Sequence, residues 1–200
     1  MGIGRQRETY LVNAHRPFSN LENHTRQQNN LHICPNSPIC MTNIFTIGVY
    51  NSTETSFFNK LTDNHIELFF DIRQRRGVRG SQYKYVNSKY LQSKLKDLGI
   101  EYQHIKLLAP NNEIRQKQKD ADKANNETKK QRTHLGEVFK SEYIKNILNQ
   151  FDMQSLADKI RDKKTHNIVF FCVEENASAC HRSLVASKLA EILGCNITNL

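Results

Sequence analysis

The chain has 200 residues, with 29 Lys plus Arg against 20 Asp plus Glu and a net charge of +9, a length that allows one domain with an appendage and too short for two full domains. Only 38% of its residues are apolar, yet these gather into short runs, which excludes a wholly disordered or collagen-like chain. No run approaches the roughly 20 apolar residues of a membrane helix, and no apolar stretch follows the early arginines as it would in a secretory signal, so a cytoplasmic protein with no membrane partner is expected.

Residues 1–42 lack an apolar period and hold three of the four prolines. They read either as a flexible extension or, with Met41 just ahead of the first strand signal, as a mis-assigned start. Residues 43–200 read as a single domain. Strands are predicted over 44–50, 66–72, 100–107 and 167–173, with a short final strand over 196–198. Helices are predicted over 53–64, capped by Ser52, and over 87–98, where Leu91, Leu95 and Leu98 share a face and Gly99 stops the turn. Further helices are predicted over 136–149, 152–163 with Asp152 as cap, and 179–193. The segment 111–134 is polar and reads as a solvated helix or a mobile loop outside the core. Strands alternating with helices predict a Rossmann-like three-layer α/β fold with a mostly parallel central sheet.

In such a sheet, ligands bind outside the carboxyl ends of the strands. Four clusters fall there: Asn51 after the first strand, Asp71-Ile72-Arg73 after the second, His104 late in the third, and Cys172 through Arg182 after the fourth. The last stretch, CVEENASACHRS, runs from an apolar strand into a helix start, where unpaired N–H groups and the helix dipole favour an anion. Arg182 and His181 would add donors in the first turn; alternatively, Glu174, His181 and Arg182 merely cap and solvate that helix.

A strand-end Cys, a loop and an Arg entering a helix is similar to enzymes that attack phosphorus or sulfur with a thiolate. Those loops hold four or five residues, whereas Cys172 and Arg182 are separated by nine. Cys172 therefore reads as a buried strand residue and Cys180 as the better reactive thiol. Five cysteines are an odd number without secretory context, so free thiols are expected. The spacing of Cys172, Cys180 and His181, and that of His32, Cys34 and Cys40, matches no closed metal knuckle, so no metal and no cofactor are predicted.

The loop after the second strand carries Arg73, Arg75, Arg76 and Arg79 between flexible glycines. Residues 73–106 hold nine basic and two acidic side chains, with Tyr83, Tyr85 and Tyr90 interleaved. That pattern suits a nucleic-acid backbone site, or simply a solvated basic surface.

TIGVYN, FFDIR with its basic loop, GIEYQHIKLLAP and CVEENASACHRSLVASKLAE together resemble the family known as domain of unknown function 488, over about residues 43–200. The resemblance implies a compact cytoplasmic α/β domain of prokaryotes, with Asp71, Arg73, Cys172, Glu174, Cys180, His181 and Arg182 as hallmark positions. It implies no activity. The family's first strand usually reads TIGH followed by Ser, where this chain has Val49-Tyr50, so His104 or His181 would have to replace any acid–base role of that histidine. The usual proline-containing loop is also replaced by the Arg- and Gly-rich one.

Three functions are expected in turn. The first is a small enzyme, a hydrolase or transferase, acting on a phosphate-containing small molecule or nucleic acid. In it Arg73, Arg182, Arg76, Arg79, His104 and Asn51 bind the substrate, Asp71 orients the arginines, and His181, Glu174 and Cys180 supply the chemistry. The second is a non-catalytic nucleic-acid-binding module using the 73–106 face, and the third a structural protein. Oligomeric state is not indicated.

Overall fold

A computed structural model describes residues 42–78 and 80–200; the extension, its Cys34 and Cys40, and Arg79 lie outside them. Among the described residues the strands are β1 (Asn43–Ile47), β2 (Leu68–Asp71), β3 (Glu101–His104), β4 (Asn167–Phe171) and β5 (Ile197–Asn199). They pair in parallel in the order β3-β2-β4-β1-β5. The helices are α1 (Glu54–Asp63), α2 (Ser88–Asp97), α3 (Asn112–Ala124), α4 (Glu137–Asn146), α5 (Met153–Asp162) and α6 (His181–Leu193). The expected three-layer α/β architecture is present, and the sheet is wholly parallel.

The alternation of side chains along each strand explains the layers. Phe45, Ile47, Phe69, Val169 and Phe171 face Phe57, Phe58 and Leu61 of α1 and Leu91 and Leu95 of α2. Ile44, Leu68, Phe70, Ile168 and Phe170 face the other way, toward α4, α5 and α6. Because β2 and all of β4 after Asn167 are buried, their central residues, Leu68–Phe70 and Ile168–Phe171, are continuously apolar, as inner parallel strands require.

Strands and helices stop earlier than the sequence suggests. The third strand ends at His104 and gives way to a 3₁₀ turn over Lys106–Leu108, and a second such turn, Ala177–Ala179, precedes α6. The cap of α1 is Thr53, not Ser52. The Thr53 hydroxyl accepts from the Ser56 N–H at 3.1 Å and the Ser56 hydroxyl accepts from the Thr53 N–H at 3.0 Å, a reciprocal capping box. Ser52 instead donates to the Val49 carbonyl at 2.6 Å.

Two larger expectations fail. Residues 111–134 do not stay outside the core: they form α3, whose Ile114 joins the core on the α4 side, and Gln118, Asp122 and Arg132 are buried with it. These polar groups satisfy one another. Gln118 donates to Asp122 at 2.7 Å, Arg132 to Asp122 at 2.8 Å, and the Gly136 N–H to Gln118 at 3.0 Å. Polar composition thus conceals a packed segment whose inner face is a hydrogen-bonded network. Likewise Tyr83 and Tyr85, expected on an open basic face, are core residues at 5% and 3% exposure, packed around Phe57 and Tyr50, whereas Tyr90 is 47% exposed.

The chain leaves β1 through α1 toward β2 and leaves β4 through α6 toward β5, on opposite faces of the sheet and in crossing directions. The two loops diverge at this switch point, where a crevice is built into the topology. They touch at its base. A Cβ on Gly48 would lie 1.9 Å from the Glu174 carbonyl oxygen, so only glycine allows the approach.

Candidate functional site

A cavity of about 540 Å³ opens at these strand ends, within the size range of small-molecule sites. Its floor includes Cys172, Glu174, Cys180 and His181, one wall is the loop after β2, and the facing wall is α3 with residues 129–132. The last wall is held over the floor by ions: Arg132 contacts Glu174 at 3.3 Å and the Ala179 carbonyl at 3.0 Å, and Lys129 reaches Glu174 at 3.2 Å.

Cys172 directly follows β4 and Cys180 is the N-cap residue of α6. Nine residues of sequence separate Cys172 from Arg182, but the turn over Ala177–Ala179 folds the loop back on itself. The Cys180 Sγ lies 3.7 Å from the His181 Nδ1, the Cys172 Sγ 4.0 Å from the same nitrogen, and the Cys172 thiol donates to the Glu174 carboxylate at 3.3 Å. Because a carbonyl can only accept, the His181 Nε2, 3.1 Å from the Ile72 oxygen, carries the proton, and Nδ1 is turned to both sulfurs.

Burial alone would raise the Cys180 thiol. The hydrogen bond from Cys172, the His181 and Arg182 charges and the His181 contact more than offset it and hold Cys180 well below the ordinary thiol range. Cys172 moves the opposite way, well above that range, through the same hydrogen bond, burial and the neighbouring Cys180 and Glu174 charges. Burial disfavours the His181 imidazolium, but the Cys180 and Glu174 charges and the hydrogen bonds to Cys180 and Ile72 outweigh it and raise its pKa.

Four of the predicted residues, Glu174, Cys180, His181 and Arg73, line the cavity. Asp71 stands behind Arg73, fully buried, and takes Arg73 Nε at 2.8 Å and Nη2 at 2.7 Å. It also accepts from Tyr102 at 2.9 Å. Asp71 does not reach Arg182. Arg182 lies outside the cavity, 1% exposed, donating to the Glu174 and Glu175 carbonyls at 2.5 and 2.7 Å and to Thr46 Oγ1 at 3.3 Å. Its guanidinium clamps the loop with all three nitrogens engaged, and it is buried away from the cavity where an anion would bind.

His104 also turns away from the cavity and meets the Arg73 carbonyl at 2.9 Å. Asn51 donates to the Glu175 carboxylate at 2.5 Å, from a backbone held at φ 60°. Arg76 is half-buried outside the lining.

Cys172, Arg75 and Tyr83, also singled out in the sequence, line the cavity too, whereas the residues of α3 and of 129–132 were not among the predicted ones. Arg115 and Lys119 come from α3, and Lys130 lies 5.6 Å over the rings of both Tyr50 and Tyr83. In all, seven basic and two acidic side chains line the cavity. Arg75, Arg115, Lys119 and Lys130 make no ion pair among the described residues. Arg73 and Arg115 each also have one buried guanidinium nitrogen, Nη1, with no hydrogen-bond partner there. The only sequence signal for α3 was Ile114, Gln118 and Asp122 recurring every four residues, a row too polar to read as an inner face.

Fold and site together define a doubly wound α/β protein with a cationic crevice at its switch point and a thiol–imidazole–carboxylate floor. The family described as "Domain of unknown function DUF488" matches residues 54–189, more than half the chain and every floor residue. The chain belongs to that family. No curated protein and no solved structure matches it. Among the described residues, no helix is long and apolar enough to cross a membrane.

Proposed function

We propose that this protein is a small enzyme, a hydrolase or transferase, that binds a phosphorylated substrate in the crevice at the strand ends. The observation that carries the reading is the pair of buried, unpartnered guanidinium nitrogens on Arg73 and Arg115 in the lining of a cavity that also holds a carboxylate, two thiols and an imidazole. Buried N–H groups are nearly always hydrogen-bonded, and those left over are explained by a ligand or water. A phosphate offers acceptors of the right charge and geometry for two guanidinium groups. Arg115, Lys119 and Lys130 take the anion together with Arg73. Asp71 and Arg182 are positioning residues, the first fixing Arg73 and the second fixing the floor loop. The reacting centre lies at the floor beside Glu174, whose carboxylate supplies acid–base chemistry.

Calorimetric titration of phosphate, pyrophosphate and mononucleotides into the wild type, Arg115→Gln and Lys119→Gln tests this. Loss of a charge-assisted hydrogen bond, about 1.5–3 kcal/mol, predicts affinity roughly tenfold or more lower in each variant. Equal affinity in all three proteins removes the site. Binding to single-stranded DNA or RNA that falls steeply with salt while small phosphates fail to bind would instead favour a nucleic-acid-binding module. That second reading is weakened by the burial of Tyr83 and Tyr85.

A further inference from the structure

The floor of the cavity brings together ligands that the sequence spacing does not suggest. The Cys172 Sγ, the Cys180 Sγ and an imidazole nitrogen of His181 all lie within 4.8 Å of one another. We infer that Cys172, Cys180 and His181 hold a zinc ion whose fourth position opens on the cavity.

Two thiolates and one imidazole form a soft donor set that selects zinc over magnesium or calcium. With Zn–S near 2.3 Å and Zn–N near 2.0–2.1 Å, the edges of a zinc tetrahedron are about 3.5–3.8 Å. The Sγ to Nδ1 separations are 3.7 Å for Cys180 and 4.0 Å for Cys172, so these two edges need a few tenths of an ångström at most to close on an ion, and the two sulfurs, within 4.8 Å of each other, need to approach by no more than about 1 Å. The imidazole is already oriented as a ligand. Its Nε2–H donates to the Ile72 carbonyl at 3.1 Å, which leaves Nδ1 facing the sulfurs. That hydrogen bond to a backbone oxygen is the usual outer-shell partner of a metal-bound histidine.

The charges also balance. Binding releases the remaining thiol protons, including the one Cys172 donates to Glu174, to solvent; zinc and two thiolates then sum to zero, and the adjoining Glu174 carboxylate is compensated by Lys129 and Arg132, at 3.2 and 3.3 Å. Glu174 lies 3.3 Å from the Cys172 sulfur and lines the same cavity, so its carboxylate is at hand for a water or a substrate oxygen bound there. Three protein ligands with an open fourth place is the catalytic form of a zinc site, whereas a structural site closes with four.

This inference deepens the proposed reaction by making the thiols ligands, but it stands on the floor's geometry alone and needs no anion in the crevice. The full chain, reduced and stripped of metal, should bind a single Zn²⁺ in the presence of excess EDTA-free buffer, as read by elemental analysis after gel filtration. Cobalt should give an intense thiolate-to-metal charge-transfer band with tetrahedral d–d absorption. A Cys34→Ser/Cys40→Ser chain should keep both signals, and Cys180→Ser should lose them. Should Cys180→Ser fail to fold, alkylation of the wild type replaces it: zinc should slow modification of Cys172 and Cys180 by a maleimide, mapped by mass spectrometry, and leave Cys195 unaffected. Retention of stoichiometric zinc in Cys180→Ser, its loss in Cys34→Ser/Cys40→Ser, or alkylation of Cys172 and Cys180 unchanged by zinc would each overturn the assignment. Arg115→Gln should keep its zinc whatever its anion affinity, which separates failure of this site from failure of the anion reading.

Discussion

The loops after β2 and β4 both begin at the end of a buried strand and both carry charged residues in a compact pattern, but they use them differently. After β2, Asp71 and Arg73 neutralise each other in a bidentate pair, and the guanidinium carbon of Arg73 lies 4.5 Å over the Phe171 ring. After β4, the arginine in the first turn of α6, Arg182, is taken up by backbone carbonyls, and the thiols and the imidazole of the floor face one another. A charged residue at a strand end is therefore not in itself a binding residue. What separates structure from site is whether the group's hydrogen bonds are already taken.

The β2 side of this contrast can be broken most severely. Asp71→Ala leaves the Arg73 charge buried at 3% exposure without its carboxylate, and the loss of one partner of a buried ion pair costs about 3–5 kcal/mol. Urea denaturation should show the unfolding free energy falling by that amount, as a lower midpoint at an unchanged slope. A change under 1 kcal/mol would show that Asp71 is not a structural anchor. On the β4 side the corresponding break is Gly48→Ala. Its methyl would collide with the Glu174 carbonyl and push the floor loop outward, an overpacking cost of about 1–3 kcal/mol. The same melts should record it, with zinc and anion affinity falling alongside.

The contrast also explains what could be read from the sequence. Strand order aside, the α/β class was legible because the central residues of β2 and β4 are apolar without interruption and α1, α2 and α6 show apolar faces of helical period. The floor was half legible: Cys172, Glu174, Cys180 and His181 sit in one stretch of chain, but the spacing of the two cysteines does not show that the turn over Ala177–Ala179 brings both thiols to the His181 imidazole. The α3 wall was not legible at all. Its inner face is Ile114, Gln118 and Asp122, and a polar side chain that is buried because Arg132 satisfies it looks in sequence like one that is solvated. Arg182 misled for the same reason in reverse, since nothing in CHRS tells a clamp on carbonyls from a donor to an anion.

A smaller effect sharpens the β2 side through pH. The Tyr102 phenol is pushed up to about 12, first by burial and then by the Asp71 charge beside it. Folding thus tightens the hold on its proton relative to the unfolded chain, where tyrosine titrates near 10. The sign follows: the contribution is whole below pH 10 and is lost as pH rises from 10 through 12. Tyr102→Phe should cost about 1 kcal/mol at neutral pH from the lost hydrogen bond to Asp71. It should also flatten the decline of stability above pH 10, measured as urea midpoints across that range. An alkaline decline identical in the two proteins would contradict the coupling.

The smallest expected effect on stability is the most discriminating. Arg115 lines the cavity with one buried nitrogen unsatisfied and makes no ion pair among the described residues, so folding gains little from its head group and bears part of the cost of desolvating it. Arg115→Met keeps the apolar stem and removes that cost. Its stability should stay within about 0.5 kcal/mol of wild type, or rise, while phosphate affinity drops. Asp71→Ala predicts the opposite balance, a large loss of stability with the α3 wall untouched. If Arg115→Met instead unfolds the protein at low denaturant, its guanidinium has a partner in solution that belongs to the fold, and the distinction between spent and unspent charge fails at the residue where it matters most.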